Sequence, residues 1–161
     1  MEELQPAMQE LGDTAQSLKD RLMALVDEDT EAFNQVMQAI RLPKKSEEEK
    51  AAREEAMIQA NRQAAEVPLQ VLSACVDALE FSRRVIADGN PASLSDAGTA
   101  ALMAHAGAQA AYYNVLINVQ SMEADEWKQK TVDSAQKLVA RADQLGAKLR
   151  VDVETKLTTN E

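Results

Sequence analysis

Asp29 is the residue whose type and position are best suited to chemistry. In residues 8–44 apolar side chains recur at the spacings of an amphipathic helix. Residues seven positions apart lie on the same face of such a helix, and one of these series starts at residue 8. That series is Met8, Ala15, Leu22, Asp29 and Val36. Since its other members are apolar, we expect the series to be buried and Asp29 to be a carboxylate that is costly to keep in the fold. Asp27 belongs to a polar series, and we expect it to face water.

A carboxyl group in apolar surroundings is suited to proton transfer, because such surroundings raise its pKa and allow it to accept and return a proton. The apolar neighbours of Asp29 within about two helical turns are Leu25, Val26, Phe33 and Val36. On this ground the sequence favours Asp29 over Asp27 as a general acid and base. The alternative is structural: the Asp29 carboxylate accepts a hydrogen bond from a neighbouring helix or from a partner subunit.

A second group of candidate residues lies in the alanine-rich stretch of residues 97–119. One face of the helix predicted there carries small residues followed by two amides, in the order Ala100, Ala104, Gly107, Ala111, Asn114 and Asn118. Small side chains allow another backbone or a flat ligand to come close, and buried amides need hydrogen-bond partners. We expect Asn114 and Asn118 either to bind a ligand or to hold two helices together.

The sequence offers no ordinary metal site and no internal disulfide. Cys75 is the only cysteine and His105 the only histidine, and His105 has no Cys, His or acidic residue at ligand spacing on its helix. We therefore expect no metal cofactor, a histidine packed among its neighbours, and a reducing compartment such as the cytoplasm.

Helix signals divide the first half of the chain into two long helices. Apolar spacing predicts a first helix from about residue 3 to 40, which ends at Leu42-Pro43. Ser46 and Glu49 have the spacing of a capping box and begin a second helix, which runs to about residue 87. Pro68 is expected to bend or break this helix, because it removes one backbone donor.

The second half contains two more helices. After the stop signal in residues 88–91, Ser93 or Ser95 is expected to cap a third helix that extends to about residue 120. A fourth helix is predicted from about residue 126 to 155. No alternating strand pattern occurs, so we predict an all-α fold, an antiparallel bundle of about four to six long helices.

Charge and hydropathy exclude several classes of partner. The 161 residues include 17 Lys and Arg against 27 Asp and Glu, for a formal net charge of −10, which repels nucleic acid and anionic lipid. The first residues are acidic where a signal peptide would be basic, and the most apolar stretch, residues 97–119, is mostly alanine with polar interruptions. We expect a single cytoplasmic domain spanning residues 1–161, with no nucleic-acid partner and no membrane segment.

Six short motifs, taken in order, resemble one family of enzymes. They are LVDEDTEAF (25–33), AIRLPK (39–44), EK (49–50), EVPL (66–69), GNPASLSDAG (89–98) and AYYNVLIN (111–118). Their order and spacing resemble the formiminotetrahydrofolate cyclodeaminase family, which includes the C-terminal domain of bifunctional formimidoyltransferase-cyclodeaminase and bacterial methenyltetrahydrofolate cyclohydrolases. The resemblance extends over residues 1–155.

The resemblance implies a dimeric, all-helical enzyme of folate-dependent one-carbon metabolism and histidine degradation. Such an enzyme closes 5-formimino-tetrahydrofolate to 5,10-methenyl-tetrahydrofolate and releases ammonia, so a tetrahydrofolate derivative is the expected substrate. Hydrolysis of methenyltetrahydrofolate is the alternative activity. The family's catalytic aspartate falls on the VDED segment, which contains both Asp27 and Asp29, and the helical phase described above favours Asp29.

The resemblance also suggests residues for substrate binding. Asn114 and Asn118 would hydrogen-bond the amide and amine edge of the pterin. Asp96 would face the pterin, although a carboxylate at this position can equally cap the helix. Lys44 would meet the glutamate tail of the folate, with a solvated turn lysine as the alternative.

This sequence departs from the family's pattern in one segment. Members usually carry a glycine-rich loop of the Pro-Gly-Gly-Gly-Ser type and an alanine-rich helix ahead of the first helix, whereas the five glycines of this sequence are never adjacent. We expect the chain to be truncated at its N-terminus relative to the family. Either a second chain supplies the missing segment, or the chain is a non-catalytic helical relative without a complete active site. The apolar helix surface left open would favour a homodimer.

Overall fold

The structure is a computed structural model that describes residues 5–120 and 122–159. Within these residues the chain forms four long α-helices and one short 3₁₀ turn, and it contains no strand. The helices are α1 (Gln5–Arg41), α2 (Glu47–Asp88), α3 (Leu94–Gln120) and α4 (Glu126–Thr159), and the 3₁₀ turn is Pro91–Ser93. The predicted all-α fold of long helices is therefore confirmed.

The chain reverses direction at each short connection. The guanidinium of Arg21 bonds to Gln70 of α2, while near the end of α1 the carbonyl of Ile40 accepts a hydrogen bond from Arg53, so α1 and α2 are antiparallel. The same reversal relates α2 to α3 and α3 to α4. Helices α2 and α4 consequently run in the same direction, and they pack against each other.

The predicted capping box begins α2. The Ser46 hydroxyl accepts a hydrogen bond from the backbone N–H of Glu49, and the Glu49 carboxylate accepts one from the backbone N–H of Ser46. The helix then continues through Pro68 to Asp88 without a break. The expected caps of α3 are not observed, because Asn90 caps the 3₁₀ turn and Ser95 already lies inside the helix.

The main core lies between α2, α3 and α4, where close packing is possible because α3 is built from small residues. Its largest fully buried side chains are Leu72 and Leu79 of α2, Val115 of α3 and Leu149 of α4. Helix α1 packs mainly against α2 through a smaller cluster of Leu25, Ala32 and Val67. It therefore lies at the edge of the bundle, with one flank open. Among the described residues no helix combines the length and apolar character that a bilayer crossing needs.

Candidate functional site

A groove opens between α1 and α3, with α2 at its base, and we call it the α1–α3 groove. It has a volume of about 500 Å³. Its lining residues are Leu22, Leu25, Val26, Asp29 and Thr30 from α1, Pro68 and Val71 from α2, and Gly107, Ala110, Ala111 and Asn114 from α3. Most of this surface is apolar or small, so the carboxylate of Asp29 and the amide of Asn114 are the strongest polar groups in it.

Asp29 lines the α1–α3 groove, but it is exposed, and the prediction that it is buried is wrong. The buried residues of α1 are Leu11, Leu25, Ala32 and Ala39. This stripe faces α2, and because α1 packs mainly against that one helix, the neighbouring series that contains Asp29 is only partly covered. Asp27 is exposed as predicted, and it is not among the residues that line the groove.

The α3 side of the groove is a surface of small residues. A Cβ atom added at Gly107 would lie 3.1 Å from the Sγ atom of Cys75 on α2, so the backbone of α3 rests directly on this buried thiol. Burial raises the pKa of Cys75, which favours the neutral thiol, and this thiol serves as a packing contact between α2 and α3. With Ala110 and Ala111 alongside, Gly107 provides a flat surface that a planar ligand can approach closely.

The two asparagines of α3 differ in their surroundings. Asn114 is exposed and lines the groove. Asn118, one turn later, donates a hydrogen bond from Nδ2 to the backbone carbonyl of Ala64 on α2, at 2.6 Å. The structure thus brings Asn114 together with Asp29, whereas the donor group of Asn118 is engaged between two helices.

Asp96 and Lys44 lie outside the α1–α3 groove. Asp96 lines a neighbouring groove of about 570 Å³ between the first half of α1 and the start of α3. The two grooves share Leu22, so they are adjacent along α1. Lys44 is exposed in the connection between α1 and α2, beside Lys50 and Arg53. The binding roles suggested for both residues stay predictions.

His105 has a partner that its own helix could not reveal. Its Nε2 atom lies 2.7 Å from the carboxylate of Asp143 on α4, and Gln109 donates to the same oxygen. The ring lies against Gly146, where an added Cβ atom would come within 2.8 Å of it. Within residues 5–120 and 122–159 no group of three or more His, Cys, Asp or Glu side chains could hold a metal ion.

Several groove residues were not identified as site residues from the sequence. Pro68 belongs to the EVPL motif, and Thr30 belongs to LVDEDTEAF, but periodicity does not indicate that either faces a groove. The Thr30 hydroxyl donates to the carbonyl of Val26 at 3.1 Å. Only the arrangement of α1, α2 and α3 around one opening shows that these residues lie beside Asp29.

Comparison with known proteins places the chain among its relatives. The family model described as formiminotransferase-cyclodeaminase matches residues 1–137. A methenyltetrahydrofolate cyclohydrolase from Methylorubrum extorquens is 30% identical over 155 residues, which are 96% of this chain and 74% of that protein. A formimidoyltransferase-cyclodeaminase from Gallus gallus is 37% identical over 126 residues, but this match covers 78% of the chain and 23% of that larger protein.

A solved structure shares the fold. The crystal structure of formiminotetrahydrofolate cyclodeaminase from Thermotoga maritima superimposes with a TM-score of 0.84 at 24% identity, over 97% of this chain and 74% of that one. At this level of identity the superposition shows the architecture of the bundle. The family model covers most of the chain, and with the match to the cyclohydrolase it shows that the chain belongs to the formiminotransferase-cyclodeaminase family.

Proposed function

We propose that this protein is an enzyme of folate-dependent one-carbon metabolism that converts 5-formimino-tetrahydrofolate to 5,10-methenyl-tetrahydrofolate and releases ammonia. One observation carries the proposal: Asp29 and Asn114 line the same groove, one on each of two facing helices, and apolar and small residues surround them. The groove therefore combines a proton-transfer group, a hydrogen-bonding amide and a surface for a flat ring.

When the formimino group enters the reaction protonated, one proton must move between two nitrogen atoms. N10 of the folate attacks the formimino carbon and forms the new C–N bond. N10 then loses its proton, and the amine nitrogen must gain one before its bond to carbon breaks and ammonia leaves. The Asp29 carboxylate accepts the proton from N10 and returns it to the amine, so the residue ends the cycle in the state in which it began.

The groove residues would hold the pterin in place for this transfer. Gly107, Ala110 and Ala111 offer a close surface for the ring, and the Asn114 amide can pair with an edge that carries a donor beside an acceptor. A ligand longer than this groove would continue past Leu22 into the neighbouring groove that Asp96 lines. Asp96 is thus retained as a proposed contact for the rest of the substrate, and Lys44 as a proposed contact for its glutamate tail.

Hydrolysis of methenyltetrahydrofolate is the second candidate function. It is favoured by the relative from Methylorubrum extorquens, whose match covers 96% of this chain and whose name is methenyltetrahydrofolate cyclohydrolase. In this reaction water adds to the methenyl carbon, and Asp29 would accept the proton that the water loses. One of the two C–N bonds at that carbon then breaks, the hydroxyl proton moves to the nitrogen that leaves, and a formyl-tetrahydrofolate remains. Both candidates therefore use the same methenyl species and the same carboxylate.

Two assays distinguish the candidates. Purified protein is mixed with 5-formimino-tetrahydrofolate in one and with 5,10-methenyl-tetrahydrofolate in the other, and the methenyl absorbance is followed against buffer alone. A cyclodeaminase makes the absorbance rise in the first assay, and a cyclohydrolase makes it fall faster than buffer does in the second. A protein that is inactive in both and gives no heat on calorimetric titration with tetrahydrofolate is a non-catalytic helical relative, which would contradict the proposal.

The protein is further proposed to act as a homodimer. Large apolar side chains are exposed along the open flank of α1 and along α3, namely Met23, Val26, Phe33, Met103, Tyr113 and Ile117. Exposed apolar surface of this kind is typical of interaction sites. Sedimentation of the purified chain should give twice the monomer mass, and Phe33→Glu should shift it to the monomer. A monomer at assay concentration would contradict this assignment without affecting the assignment of Asp29.

A further inference from the structure

Pro68 leaves a gap in the hydrogen-bond ladder of α2. It lies inside this helix, buried, with regular helix on both sides. Proline has no backbone N–H, and its ring crowds the carbonyl four residues earlier. That carbonyl belongs to Ala64, so the usual donor to the Ala64 oxygen does not exist.

Asn118 fills this gap from the neighbouring helix. Its Nδ2 atom donates to the carbonyl oxygen of Ala64 at a distance of 2.6 Å, in a partly buried position. A carbonyl that has lost its helical donor is costly when buried, and an amide donor from another helix removes that cost. The proline of one helix and the asparagine of another thus form a matched pair, although 50 residues separate them in the sequence.

We propose that Asn118 is a positioning residue for the α1–α3 groove, acting through the carbonyl that Pro68 leaves without a donor. The hydrogen bond sets the position of α3 on α2 at the level of the groove. Pro68 lines the groove one turn after Ala64, and Asn114 lines it one turn before Asn118. The bond therefore fixes the distance between the base of the groove and the amide that faces it.

The location of these groups predicts which kinetic constant changes. Asn114 and Gly107 lie on α3 and would contact the substrate, whereas Asp29 lies on α1, which packs mainly against α2. Loss of the hydrogen bond between α3 and α2 would therefore displace Asn114 and Gly107 and leave Asp29 in place. This step depends on the proposed function, and it predicts a KM about tenfold higher for the folate substrate, with a smaller change in kcat.

The test is a double-mutant cycle between Asn118→Ala and Pro68→Ala in the full chain. Asn118→Ala removes the side-chain donor to the Ala64 carbonyl and should lower the melting temperature by about 2–10 °C. Asn118→Asp should do the same, because a carboxylate cannot donate. Pro68→Ala restores the backbone N–H, so Asn118→Ala should cost less than about half as much in that background. A folded double variant also supports the proposal if Asn118→Ala alone does not fold.

Asn114→Ala is the matched control. It makes the same chemical change one turn away, at an exposed position, so its effect on the melting temperature should be small and equal in the wild-type and Pro68→Ala backgrounds. Equal costs of Asn118→Ala in the two backgrounds would overturn the pairing of Asn118 with Pro68.

The positioning role has a readout that requires no folate. The side-chain amide resonance of Asn114 should shift in Asn118→Ala and return towards its wild-type position in the double variant. An unchanged resonance together with an unchanged KM would overturn the positioning role and leave only a stabilising contact. A wild-type protein that turns over no folate would contradict the proposed function, while the unfolding cycle and the Asn114 resonance would still decide the role of Asn118.

Discussion

Gly146 and Gly12 both lie inside helices, but their surroundings differ. A Cβ atom at Gly146 would come within 2.8 Å of the His105 ring, which pairs with Asp143, whereas a Cβ atom at Gly12 would meet nothing within 4 Å. The Gly146 position is therefore specified by the packing of α3 on α4. At Gly12 no contact requires glycine, so a substitution by alanine changes only the helix propensity of the residue.

These surroundings predict opposite effects of the same substitution. Gly146→Ala should displace His105 from Asp143 and lower the free energy of unfolding by about 1–3 kcal/mol, the range typical of overpacking. Gly12→Ala should raise it by up to about 1 kcal/mol, because alanine favours the helix. Thermal unfolding followed by circular dichroism measures both. Equal effects of the two substitutions would contradict the packing described for α3 and α4.

The sequence identified only some of the residues and contacts of the candidate site. It singled out Asp29 and Asn114, which the structure brings into one groove. It could not find the partners of His105 and Asn118, because Asp143 and Ala64 lie on other helices, 38 and 54 residues away. Helical periodicity describes the faces of one helix, and it carries no information on which side chain of a second helix lies opposite.

At the scale of elements, local chemistry determines where helices begin and end. The capping box at the start of α2 satisfies two backbone donors that have no helical acceptor. Ser46→Ala should therefore lower the free energy of unfolding by about 1 kcal/mol, or the melting temperature by about 2–4 °C. Ser134→Ala, at an exposed position inside α4, is the control and should leave the melting temperature unchanged or slightly higher. A loss of the same size in both variants would argue against the cap.

The same local signals explain which element predictions succeeded. Ser46 and Glu49 were sufficient to place the start of α2, and Pro43 was sufficient to end α1 near Arg41. The burial of Asp29 was predicted wrongly, because periodicity cannot tell how many neighbours a helix has. Helix α1 packs mainly against α2, so one apolar stripe is buried and the next one lines a groove.

At the scale of the whole molecule, an ion pair within α2 and another between α2 and α4 make stability depend on pH. Hydrogen bonds from Arg83 and then Arg141 lower the pKa of Glu80. A carboxyl group whose pKa is lower in the folded state stabilises the fold above its unfolded pKa, and this stabilisation is lost as pH falls through the folded value.

Burial and the charge of Glu80 raise the pKa of Asp77. The contribution of Asp77 to the stability of the fold therefore has the opposite sign. This contribution is present below the unfolded pKa of Asp77 and is lost as pH rises through its folded pKa.

Two neutral variants test these signs. Glu80→Gln should lower the melting temperature at neutral pH and flatten its fall on the acid side. Asp77→Asn should raise the melting temperature at neutral pH, because it removes a charge that partial desolvation and the neighbouring Glu80 disfavour. Thermal unfolding between about pH 3 and pH 8 checks both. A higher melting temperature for Glu80→Gln at neutral pH would contradict the assigned pair with Arg83 and Arg141.

The α1–α3 groove is itself a property of the whole molecule, because three helices build it. Asp29 in this groove is proposed to transfer the proton of the folate reaction. The most direct test compares Asp29→Asn with Asp27→Asn, two exposed aspartates on the same helix of which only Asp29 lines the groove. The rate of methenyl formation from 5-formimino-tetrahydrofolate should fall about 10²-fold or more in Asp29→Asn and stay near the wild-type rate in Asp27→Asn, with helicity unchanged in both. Full activity of Asp29→Asn would contradict the account.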